Sequence, residues 1–241
     1  MRATQGVSFP RSGHAAIYHI ARLYFGDAFI YCDVNNTRFC GCGSVPCINP
    51  NRTFAKNHDF GLRNPPSPRK ILILRQFLSL HKFRGVPIIP TEHYFIQYRS
   101  PVPAIISNFK VYLKKNPREN HRAGWERFAF RDVNYWIRFI DKWVLDFPPD
   151  ANPPLYCTYE SLLANPQARV REILTFLSNA PLDDNRVEQI MQQIPIVPRN
   201  SISEFDFYDS VFFKELEDIA SQRLAKLSLP SFKEGIQAPF S

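Results

Sequence analysis

The sequence predicts an α/β fold in three layers, with a mostly parallel central sheet flanked by helices. Three observations carry this expectation. Short apolar runs alternate with amphipathic helical segments along most of the chain, the pattern of strand–helix–strand units. The first run, Gly6 to Phe9, passes through a tight turn directly into a helical pattern. Finally, 241 residues with 44% hydrophobic content and 21 Phe suit one large domain with a substantial core. We therefore expect a single domain over residues 1–241, carrying a Cys-rich loop at 32–47 and an insertion at 61–92.

The elements follow in order. His14 to Leu23 places Ala16, Ile17, Ile20, Ala21 and Leu23 at helical spacing, with Gly26 as C-cap. Ala28 to Tyr31 reads as a second strand, and Thr53 to Lys56 as an extended run leading to Asn57-His58-Asp59. The insertion opens on Pro65, Pro66 and Pro68 and closes on Pro87 and Pro90; between them Lys70 to Phe83 fits strand, helix or both. His93 to Tyr98 alternates as a strand does. Pro103 to Lys115 is helical, with Ile105, Ile106, Phe109 and Leu113 on its apolar face. Trp125 to Leu145 is a long amphipathic helix between Gly124 and Pro148-Pro149, with Trp125, Trp136 and Trp143 as core anchors. Leu155 to Thr158 is a strand, Asn165-Pro166 starts a helix through Leu177, and Asp183–Gln193 and Asp209–Leu227 are further helices.

The formal charge of +8 calls for an anionic partner. Lys and Arg are scattered, with no RNA-recognition sequence, zinc finger or basic helix among them, so a small polyanion is expected rather than nucleic acid. No apolar stretch reaches the roughly 18 residues of a membrane span. The first strand leaves no room for a signal peptide before it, which makes a cytoplasmic location the expectation. Cys32, Cys40, Cys42 and Cys47 are spaced C-x₇-C-x-C-x₄-C, unlike the paired C-x₂-C of common zinc modules. Four thiols within sixteen residues could bind Zn²⁺, and reduced loop thiols without a metal are the expectation there.

The chemistry concentrates in Gly6-Val7-Ser8-Phe9-Pro10-Arg11-Ser12-Gly13-His14. A strand that turns tightly into a helix aims backbone N–H groups at one spot, and here a hydroxyl and a guanidinium join them. Such a spot binds a phosphate-like anion. The ATP-binding signature G-x-x-x-x-G-K-[ST] is not met, since no Lys follows Gly13 and no Ser or Thr stands ready for Mg²⁺. The loop fits an anionic nucleotide without the usual metal and γ-phosphate apparatus.

Further along stand Lys56-Asn57-His58, then Tyr98-Arg99-Ser100-Pro101 with Ser107 eight residues after Arg99, then Tyr159-Glu160-Ser161-Leu162-Leu163-Ala164-Asn165-Pro166. In this order the set resembles the sulfotransferases that use 3′-phosphoadenosine 5′-phosphosulfate (PAPS). Their pattern is a P-[RK]-S-G loop, an Arg-x-Pro with Ser eight residues on from the Arg, and a Y-E-x-L-x-x-x-P run. The resemblance covers roughly residues 6–180. It implies a P-loop nucleoside-triphosphate-hydrolase-like sulfotransferase architecture and transfer of a sulfuryl group to an acceptor hydroxyl on a glycan or small molecule, with no metal required.

The resemblance also implies roles. Arg11, Ser12, Gly13 and His14 would hold the 5′-phosphosulfate. Arg99 and Ser107 would hold the 3′-phosphate, with Tyr159 near the adenine and Arg199 as a late candidate for the 3′-phosphate. His58 would be the base and Lys56 the cation for the departing oxygen, both on one face of an extended run. The family commonly has hydroxyls and an indole after the loop Gly; His14-Ala15-Ala16 stand there instead, leaving His14 itself as the donor. Asp59 could orient the His58 imidazole or hold it in a structural turn. Two other functions stay open at this point: a P-loop kinase-like phosphotransferase, and a non-catalytic binder of an anionic nucleotide or sulfated glycan.

Overall fold

A computed structural model describes residues 1–34, 36, 39–59, 86–194 and 205–229. Among the described residues five strands form one sheet: β1 (Thr4–Ser8), β2 (Tyr31–Asp33), β3 (Phe54–Asn57), β4 (His93–Tyr98) and β5 (Leu155–Thr158). Their order is β2-β3-β1-β4-β5 and every pairing is parallel. The predicted α/β class is what the chain adopts. β1 lies between β3 and β4: from β1 the chain goes to the edge strand β2, returns to β3 beside β1, and then crosses to β4 and β5 on the other side. In open parallel sheets, ligands bind outside the carboxyl ends of the strands at such a reversal.

Helices cover both faces. On one lie α1 (His14–Phe25), α5 (Pro166–Leu177) and α6 (Asp184–Gln193); on the other α2 (Pro101–Leu113), α3 (Arg122–Ile140) and α7 (Ser210–Leu227). The short α4 (Tyr159–Ala164) follows β5 at once. Strand alternation sorts the two cores. Tyr94, Ile96 and Tyr98 of β4 face the α2–α3–α7 layer, and Phe95 faces the α1 layer. Trp125, Trp136 and Trp143 are at most 1% exposed, so the predicted anchors are core residues.

Local chemistry sets the helix ends. In α1, Ile17, Ile20, Ala21 and Tyr24 form the buried stripe at helical spacing. The side chains of Thr158, Asn165, Asp183 and Asp209 accept a backbone N–H at the starts of α4, α5, α6 and α7, and Pro166 occupies the first position of α5. The long helix was expected to run to Leu145; instead α3 ends at Ile140 and widens into a π-type turn over Asp141–Leu145. The second strand also shifts. Gly26–Ala28 forms a 3₁₀ turn, and the Ile30 carbonyl accepts N–H groups of Thr53 and Phe54, so the ladder with β3 begins only at Tyr31.

Of the expected insertion, residues 86–92 run without helix or strand into β4, and Val86 is buried; the remainder lies outside the described residues. No helix among the described residues is long and apolar enough to cross a membrane.

Candidate functional site

The carboxyl ends of β1, β3, β4 and β5 bring Ser8, His58, Arg99 and Tyr159 to one edge of the sheet. The loop after β1 is fixed from below by Phe9, fully buried, whose N–H donates to the Gln97 carbonyl at 2.9 Å. Its ring packs on Tyr135 and Phe139 with centroids 5.1 and 5.9 Å apart. Above it the backbone turns sharply: Arg11 and Gly13 have φ of 68° and 88°. Gly13 is the N-cap of α1 and supplies no side-chain cap; the Ala16 N–H donates to the Gly13 carbonyl at 3.0 Å, and the N–H groups before it at the start of α1 face the loop. Ser12 is 1% exposed, and its Oγ has no hydrogen-bond partner among the described residues. A buried hydroxyl left in that state is costly unless a ligand completes it.

Gly13 is required on two counts. Its φ favours glycine, and a Cβ there would sit 2.9 Å from Cδ2 of Tyr159. Gly13→Ala should therefore cost about 1–3 kcal/mol of stability and displace the Tyr159 ring. Chemical denaturation checks this; an unchanged midpoint would show that the loop relaxes freely.

The second group joins residues distant in sequence. Arg11 Nε donates to Ser107 Oγ at 2.9 Å, across 96 positions. The Arg99 guanidinium lies 4.2 Å above the centre of the Tyr159 ring. Arg99 is 6% exposed, and its carbonyl accepts from Trp136 Nε1 at 2.7 Å. Burial lowers the Arg99 pKa, Glu160 and Tyr159 oppose this, and Arg11 adds a smaller repulsion of like charge. The helix that carries Ser107 is docked on the same corner, because Glu160 Oε1 accepts the Ser100 N–H at 2.9 Å. Arg11, Ser107, Arg99 and Tyr159 thus form one cationic corner. Arg11, expected at the loop's own anion, turns its side chain to Ser107 instead.

The third group gathers at the carboxyl ends of β1, β2 and β3. Lys56 Nζ is 3.2 Å from Asp33 Oδ2, its register partner across β2 and β3. His58 Nδ1 is 2.7 Å from the Ser8 carbonyl oxygen and 3.2 Å from Ser8 Oγ. A carbonyl only accepts, so Nδ1 carries the proton and Nε2 carries the lone pair. This is the tautomer a proton acceptor at Nε2 needs. Tyr135 Oη donates to the His58 carbonyl and fixes the backbone behind the ring. Asp59, at φ 55°, spends Oδ1 on the Val86 N–H at 2.7 Å and on Lys142 Nζ at 2.6 Å. It closes the turn after β3.

His14 is engaged by the protein. Its Nδ1 lies 3.1 Å from Gln97 Oε1 and its Nε2 lies 3.0 Å from Tyr31 Oη. A neutral ring satisfies both, donating to the amide oxygen and accepting from the phenol. What His14 offers an anion is its main-chain N–H at the start of α1. Burial, then the charges of Lys56 and His58, hold its pKa well below the usual imidazole range, against the opposing bond to Gln97. The sign follows: below about pH 6.5 the unfolded chain takes up this proton first, so the contribution to stability is present above that pH and fades as pH falls. His14→Gln should flatten the acid-side loss of stability, read as denaturation midpoint against pH; an unaltered slope would remove His14 from that loss.

Sequence reasoning missed Ser8, Tyr31, Asp33, Gln97 and Trp136. Gln97 was findable as a polar residue inside an apolar strand, and it is fully buried. Arg199 lies outside the described residues.

No family model matches this chain, and no curated protein matches it. Two solved structures of retinol dehydratase are similar to it, one in complex with androsterone and the inactive cofactor PAP, the other with retinol and PAP. Their TM-scores are 0.48 and 0.43, each at 14% identity over 93% of this chain and 81% and 82% of theirs. These are loose superpositions, and the chemistry of the site stands on its own residues.

Proposed function

We propose that this protein is a sulfotransferase that moves a sulfuryl group from PAPS to the hydroxyl of a small molecule or glycan. The observation that carries the reading is the Arg11–Ser107 hydrogen bond beside Arg99 and Tyr159, next to a helix N-terminus with a buried, unsatisfied Ser12 hydroxyl. Two anion sites side by side suit a nucleotide phosphorylated at both ends. A nucleoside triphosphate would instead call for the loop Lys and the Mg²⁺ ligand absent from this sequence.

Ser12 and the N–H groups of Gly13 and His14 hold the 5′ end, while Arg99 and Ser107, with Arg11 spanning the two sites, hold the 3′-phosphate. The bound nucleotide supplies the sulfuryl group. His58 Nε2 takes the proton of the acceptor hydroxyl. Lys56, paired with Asp33, and the start of α1 stabilise negative charge on the departing phosphate. Fixed cations provide this stabilisation without a metal ion in the reaction.

Incubation with ³⁵S-labelled PAPS and a panel of hydroxyl acceptors tests the reading. Label should pass to an acceptor with release of 3′,5′-adenosine bisphosphate, and ATP labelled on its γ-phosphate should give no transfer. Transfer from ATP would replace this reading with a phosphotransferase. Nucleotide binding without turnover on any acceptor would leave a binding protein.

A further inference from the structure

The mechanism leaves aside the four thiols around the edge of the sheet. Cys32 stands in β2, and Cys40, Cys42 and Cys47 stand in the loop that follows it. Their sulfurs all lie within 4.8 Å of one another. The Cys32–Cys42 and Cys40–Cys47 separations are 3.8 and 3.7 Å. Four sulfurs bound at about 2.3 Å to one tetrahedral zinc ion are about 3.8 Å apart along each edge. A disulfide would need about 2.05 Å, and all four cysteines are free.

The loop is built to turn these groups inward. Gly41 and Gly43, at φ 58° and 66°, flank Cys42, so two ligands only two residues apart converge on one point. The Asn49 N–H donates to Cys47 Sγ at 3.4 Å, a bond that favours a thiolate. Apolar burial gives the loop little else to fold around. Its own core is Cys32, Val34, Cys47 and Ala55, two of which are members of the cluster.

We propose that Cys32, Cys40, Cys42 and Cys47 bind one Zn²⁺ in a closed tetrathiolate site that fastens this loop to the edge of the sheet. Four soft ligands in a tetrahedron suit zinc, while iron–sulfur clusters spread their thiolates around a wider core. With no position left open, the ion is structural. It replaces the expectation of reduced loop thiols and is separate from sulfuryl transfer. Its reach into function is through Asp33, adjacent to Cys32. The Asp33 carbonyl accepts the Gly41 N–H at 3.2 Å, and its carboxylate pairs with Lys56.

The full-length protein, produced in zinc-supplemented medium and purified without chelator, should contain one zinc per chain by elemental mass spectrometry. Exchange for Co²⁺ should give the intense visible bands and thiolate-to-cobalt charge-transfer absorption of a tetrahedral thiolate site. Cys42→Ser should lose the zinc and Cys157→Ser should keep it. The cobalt spectrum of the unaltered chain decides the matter should Cys42→Ser fail to fold. Substoichiometric zinc with four freely titrating thiols, two disulfides by intact mass, or iron in place of zinc would each overturn the assignment.

Discussion

Replacing His58 by Ala should lower the proposed sulfuryl transfer by about 10²–10⁴-fold, the range expected for loss of a general base, and leave affinity for 3′,5′-adenosine bisphosphate nearly unchanged. The basis is the bond from Nδ1–H to the Ser8 carbonyl, which makes Nε2 the accepting nitrogen, and the Tyr135 hydroxyl that holds the His58 main chain. The main-chain contacts remain in the variant, so the loop after β1 keeps its shape. Initial-rate kinetics alongside equilibrium binding separate the alternatives. A parallel loss of nucleotide affinity would move His58 from proton transfer to support of the loop.

Replacing Arg99 by Ala should weaken binding of the 3′-phosphorylated nucleotide by on the order of 10- to 100-fold, the loss of charged hydrogen bonds worth about 1.5–3 kcal/mol. Adenosine 5′-phosphate, which has no 3′-phosphate, loses far less. Arg99 is buried near Glu160 and a second guanidinium, Arg11, whose weaker repulsion a bound anion would offset. The Trp136 indole holds the Arg99 carbonyl, so the Ala variant retains its place at the start of α2. Equal losses for the two nucleotides would show that Arg99 supports the corner and does not read the 3′-phosphate. Arg99→Lys keeps a charge but loses the planar stack on Tyr159, and should recover only part of the affinity.

Most of the architecture was legible from the sequence because hydrophobic period and caps are local. His93–Tyr98 and Leu155–Thr158 form strands at the residues expected, and Asn165, Asp183 and Asp209 cap helices where the sequence places them. Ala28 to Tyr31 failed because a residue's pairing partner is not local: the bonds from Thr53 and Phe54 moved the strand to Tyr31–Asp33. In the site, residue types at strand ends pointed to anion binding. Spacing alone could not show that Arg11 reaches Ser107 or that Gln97 and Tyr31 take up the His14 ring. Nor could it show that the C-x₇-C-x-C-x₄-C thiols converge, since two turns with positive φ set their geometry.

On the proposed function, the loop after β1 and the Arg11–Ser107–Arg99 corner together bind one nucleotide carrying phosphate at both its 3′ and 5′ positions. Isothermal titration calorimetry with 3′,5′-adenosine bisphosphate measures this directly. One site per chain with micromolar affinity, much weaker binding of adenosine 5′-phosphate, and no competition from ATP with Mg²⁺ are expected. Absence of binding, or tighter binding of ATP with Mg²⁺, would contradict the proposed function.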